Sequence, residues 1–158
     1  MDKKISNNDL VLDPAYSNII YKVCYLLSIT SVYGFYRKKY DTASILFCGF
    51  LTSINYWRNP TFGLRRRLDM TAIPIGLMYH ALRAYNSQYY CTYYALNAAC
   101  VLFYPASCYY YNKRQYWAST YLHCMVHLIG NASFIVLYSG TLLPFLKNPF
   151  FSRIKKLL

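Results

Sequence analysis

Apolar positions in this 158-residue chain gather into long blocks separated by short polar or charged breaks. Five blocks stand out, at 17–36, 42–57, 68–85, 89–111 and 116–139. Each is far longer than a strand and close to the roughly 20 residues that carry a helix across a bilayer. The breaks hold residues that stop helices or sit at a headgroup boundary: 37–41 with three basic residues and Asp41, 58–67 with Pro60 and Gly63, then 86–88 and 112–115. A last stretch, 141–151, contains Pro144 and Pro149 and is too short to span. The pattern predicts an all-α, polytopic membrane helix bundle of about five transmembrane helices plus an interfacial C-terminal tail. Its expected parts are a polar N-terminal segment at 1–16, the bundle at 17–140 and a basic tail at 141–158.

Composition supports a membrane rather than a soluble protein. Apolar residues make up 56% and charged residues 14%, against about 25% charged in soluble domains. Mean hydropathy is positive. The net charge of +12 would suit nucleic acid, but the basic residues sit in short clusters between apolar blocks, which excludes that partner. Arg37, Lys38 and Lys39, then Arg65, Arg66 and Arg67, then Lys113 and Arg114 are placed to anchor the chain to a lipid bilayer and its anionic headgroups. Many of the 20 tyrosines cluster near block ends, where amphipathic rings favour the interface.

Orientation is not encoded. Lys3, Lys4, Arg58, Arg65, Arg66, Arg67, Lys113 and Arg114 flank one side, and Arg37, Lys38, Lys39, Arg83, Lys147, Arg153, Lys155 and Lys156 the other, eight against eight. All six cysteines lie in apolar blocks with no C-x-x-C and read as small buried hydrophobes. Residues 1–14 lack the apolar core of a cleaved leader, so insertion is expected to rest on the first block. Asn131-Ala-Ser133 matches a glycosylation acceptor but lies inside an apolar block.

Within so apolar a chain the few ionisable groups are the candidates for chemistry. From Thr42 onward Asp69 is the one acid, and the protein has no Glu. His123 and His127 are spaced i, i+4, which places both on one helix face. Alternating passes bring the end of the second block and the starts of the third and fifth to one membrane face. Ser53, Asp69, His123 and His127 are therefore expected at similar depth. Three stripes should face one another: Gly49, Ser53 and Trp57; Asp69, Gly76, His80 and Arg83; and Ser119, His123, His127 and Asn131.

Two imidazoles and a carboxylate make a zinc site of the kind that needs three protein ligands and an open position. The other reading is polar packing, with the histidines bonded to carbonyls or tyrosines and Asp69 paired to Arg66 at i−3. His80 is eleven residues from Asp69, about 16 Å along a helix axis, and is expected to be a buried histidine with a partner of its own.

At these residues the chain resembles the CREST superfamily of membrane hydrolases, which includes alkaline ceramidases and the progestin/adiponectin receptors. Ser53-Ile-Asn-Tyr-Trp57 stands where that family has a Ser and a His four residues on. Arg67-Leu-Asp69 with Pro74 resembles its Asp motif, and His123-Cys-Met-Val-His127 its late histidine pair. The order runs across 53–138, about half the chain. There are two departures: five blocks replace seven helices, and Trp57 stands in for a metal-binding His.

The resemblance implies hydrolysis of a lipid amide or ester. His123 and His127 would hold zinc, Asp69 would ligate it or act as general base, and Ser53 would position water or the oxyanion. Two other functions stay open: a non-catalytic relative that binds a lipid in the same cavity, and a structural or assembly protein of an internal or viral membrane.

Overall fold

The computed structural model describes residues 10–85 and 87–143. Among them lie five helices and no sheet: α1 (Pro14–Tyr36), α2 (Tyr40–Trp57), α3 (Leu64–Ala84), α4 (Tyr90–Asn112) and α5 (Tyr116–Ser139). The chain is all-α, one helix for each apolar block. The basic tail from 144 onward and residues 1–9 fall outside the described residues.

Local signals account for the helix boundaries. Asp13 caps α1, its carboxylate accepting from the Ala15 N–H at 2.8 Å, with Pro14 as the first helical residue. The helix therefore starts three residues before the apolar block does. Gly63, at φ 141°, ends the loop before α3. Arg65, Arg66 and Arg67 then form that helix's first turn instead of a linker, as their good helix propensity allows. Lys38 and Arg114 adopt φ 59° in the tight reversals after α1 and α4.

Helices α1 and α5 are long and apolar enough to cross a membrane by length and composition. The other three fall short because their polar residues count against them. In α3 three of those residues, Asp69, His80 and Arg83, are buried, whereas Arg65 and Arg67 of the first turn are exposed.

Packing is unequal around the bundle. Helix α1 lies between α2 and α5, α2 also packs on α3, and α5 on α4, while α3 and α4 touch only sparsely. The result is a ring with one weak seam. Close approach elsewhere depends on small residues. A Cβ on Gly34 of α1 would stand 2.8 Å from Tyr138 Cε2 on α5 and 2.9 Å from Ala43 Cβ on α2. Gly34→Ala should therefore destabilise the bundle by about 1–3 kcal/mol, the range for overpacking, read as a lower melting temperature in detergent.

The two ends of the bundle are closed differently. At one, Val11 N–H donates to the Pro60 carbonyl at 2.7 Å and Tyr111 Oη to the Val11 carbonyl at 2.6 Å. This straps the N-terminal segment across the starts of α1, α3 and α5. At the other, Arg83 Nε meets Asp41 Oδ2 at 2.6 Å, Tyr79 Oη donates to the same oxygen, and an Arg83 terminal nitrogen reaches the Leu143 carbonyl at 2.7 Å.

Candidate functional site

Inside the ring lies a cavity of about 420 Å³ with walls from all five helices, within the usual size range for ligand pockets. Asp69 and two of the cavity's three histidines lie toward the strapped end. Ser53 and Trp57 come from α2, Asp69 from α3, and His123 and His127 from α5. The sites expected to share one depth thus line one chamber. From there the cavity continues between Ile45, Leu46, Ile73 and Leu77 toward His80 and Phe134.

Asp69 is buried, and Ser53 Oγ and Thr52 Oγ1 donate to its Oδ1 at 2.7 and 3.2 Å. Among the described residues no donor reaches Oδ2. The expected pairing with Arg66 does not form: the carboxylate is held by hydroxyls of α2 instead of a cation of its own helix. Thr52 is the partner that sequence reading missed. Its signal was adjacency to Ser53, since consecutive residues at a helix edge can both reach one acceptor.

The two histidines lie ring to ring at 5.3 Å, each partly accessible from the cavity. Trp57 packs edge-on against His123 with ring centroids 4.9 Å apart. His127 Nε2 lies 3.8 Å from Cys24 Sγ of α1. Cys24, a small hydrophobe by its place in the sequence, shares a buried face with Ile20 and Leu27, the one turned toward α5. Asn131, which ends the α5 stripe, accepts from Thr30 Oγ1 at 2.6 Å.

His80 sits at the far end, fully satisfied. Gly76 O can only accept, so Nδ1 carries the ring proton and donates to it at 2.7 Å; Tyr138 Oη then donates to Nε2 at 2.8 Å. This is a neutral structural histidine joining α3 to α5.

The chamber can be tested against the zinc that the family resemblance implies. His123 and His127 are adjacent, but the third family position is an indole, which cannot ligate. Asp69 is bonded into the α2 wall, and among the described residues no three His, Cys, Asp or Glu side chains converge as a ligand set. A three-ligand catalytic centre does not fit this arrangement of side chains.

The seam between α3 and α4 gives the cavity a side opening. Five cavity-lining residues are exposed, Met70, Pro74, Val101, Tyr104 and Pro105, and all five belong to α3 or α4. Tyr94 Oη bonded to the Ala81 carbonyl at 2.7 Å bounds the slot at one end, and Tyr104 Oη 3.5 Å from Met70 Sδ bounds it at the other.

An all-helical bundle with a side-opening cavity, polar at one end, is the class that fold and site define. No protein family, curated protein or solved structure matches this chain.

Proposed function

We propose that this is a multi-pass membrane protein whose five helices cross the bilayer and hold a lipid in the laterally open cavity. The observation that carries this reading is the placement of the slot: the cavity-lining residues that are exposed all lie on α3 or α4, so the chamber opens sideways, where acyl chains would lie.

The distribution of polarity supports the membrane half of the proposal. Large apolar side chains face outward on the three less apolar helices, among them Leu51, Ile75, Met78 and Leu102, the last 70% exposed. Polar groups such as Thr42, Ser53, Asp69, His80, Arg83 and Asn131 are buried. Water would favour the reverse arrangement, and contiguous apolar surface of this extent marks contact with lipid or protein. Helices of 18 to 24 residues are about 27–36 Å long, matching a hydrocarbon core of about 30 Å.

Purified in mild detergent, the full chain should retain about one lipid per molecule through extended washing, measured by mass spectrometry of extracted material. Protein that washes lipid-free and takes none up on re-addition would remove this reading.

A divergent metal-assisted lipid hydrolase is the second reading, favoured by Ser53, Asp69, His123 and His127 lining one cavity; because no third ligand converges on the two histidines among the described residues, it requires Asp69 to leave Ser53 and Thr52 and join them. It requires zinc near one per chain, lost in a His123→Ala/His127→Ala variant. Metal-free protein that still holds lipid decides for binding alone.

A further inference from the structure

Resting on that lipid-binding reading, we infer that the ligand carries a phosphate headgroup, held at the mouth of the cavity by Arg65 and Arg66. Beneath it, a hydroxyl or amide donor reaches Asp69.

The first turn of α3 lies just beyond Asp69 and Met70, the cavity-lining residues nearest that end of the helix. Arg65 and Arg66 precede Asp69 by four and three residues, so they share its helix face about 5 Å nearer the membrane surface. The Arg66 guanidinium lies 5.4 Å from the Phe62 ring centroid and also interacts with the Tyr56 hydroxyl. Its Nε is buried without an acceptor among the described residues. Its charge also acts on the Tyr104 hydroxyl of α4.

Among the described residues, no carboxylate on this face neutralises these charges. The described acids there are Asp13, which caps α1, and Asp69, whose Oδ1 is committed to Ser53 and Thr52. Arg58, Arg65, Arg66 and Arg67 form no ion pair with a described carboxylate. Guanidinium groups match phosphate oxygens in shape as well as charge.

Below the arginines the order of chemistry follows that of an amphiphile. Asp69 Oδ2 offers an acceptor that no donor among the described residues occupies. The apolar cavity then runs toward His80, about 16 Å further along α3, for the chain. Phosphate, hydroxyl and hydrocarbon are met in that sequence from the surface inward.

The test uses the full-length protein, delipidated in a nonionic detergent and examined by native mass spectrometry with two lipids of the same acyl chain. One is a 1-acyl-glycerol 3-phosphate, the other the uncharged 1-acyl-glycerol. The phosphate lipid should bind about tenfold more tightly, as two basic contacts allow. Arg65→Gln/Arg66→Gln should erase most of that advantage while leaving the uncharged lipid's affinity unchanged. Arg65→Gln alone, at an exposed position, serves if the double variant misfolds, and should lose about threefold.

Equal binding of the two lipids by the unaltered protein overturns the headgroup inference but leaves the lipid cavity standing. Inorganic phosphate should not compete at millimolar concentration. If it displaces the charged lipid, the site takes free phosphate and the inference is wrong. Failure of both lipids to bind removes the underlying reading as well.

Discussion

Val126→Phe is expected to empty the cavity of lipid while leaving the fold intact. Val126 lies on α5 one residue before His127 and lines the chamber. Its carbonyl accepts from Cys100 Sγ at 3.2 Å, a contact to the backbone that the substitution preserves. Overpacking costs about 1–3 kcal/mol where a side chain must displace packed neighbours. Here the added ring enters open volume instead, so the melting temperature should stay the same or rise slightly. Lipid retained after washing should fall at least about tenfold, the change expected when roughly 1.4 kcal/mol of contact is lost. Extracted lipid measured against protein, with circular dichroism as the control, reads both quantities. Full retention in a well-folded variant would mean that the lipid sits outside the ring.

The second large effect lies at the opposite end. Arg83→Met keeps most of the side-chain stem but removes the group that joins α3 to Asp41 of α2 and to the Leu143 carbonyl. Breaking a fully buried pair costs about 3–5 kcal/mol. Asp41 is about one third exposed, so solvent screening reduces the expected loss to about 2–3 kcal/mol.

Acid should shrink that loss. Protonating Asp41 removes the charge that Arg83 and Tyr79 meet, so its share of the stability is lost once the carboxyl is protonated in the folded protein. Thermal melts of protein and variant at pH 7 and in strong acid should converge. A gap independent of pH would assign the loss to packing of the Arg83 stem.

How much of this was legible in the sequence depends on the range of the interactions. The five helices could be read because each is a local event, an apolar run bounded by Pro, Gly or charge. The shared depth of Ser53, Asp69, His123 and His127 followed from alternating passes, since parity and position along a helix suffice to fix it. Partner choice was not legible. Nothing in the sequence says whether Asp69 turns to Arg66 on its own helix or to Thr52 and Ser53 on the neighbour, because rotation of α2 against α3 decides that. The position of Cys24 beside His127 depends on how α1 packs against α5, and the sparse α3–α4 contact is a property of the closed ring. Helices joined by so short a connection would be expected to pack well; instead α3 and α4 touch more sparsely than the other neighbouring pairs.

That seam is flanked by Pro74 and Pro105, one on each lip. Neither ring nitrogen can donate, so the carbonyls four residues back, at Met70 and Val101, have no partner in their own helical ladders. Bending at these points breaks no ladder bond, unlike bending at an uninterrupted stretch of helix. Of the ways into the chamber, the doorway between α3 and α4 therefore has the softest frame, and a branched or double-tailed guest could widen it at little cost to the secondary structure.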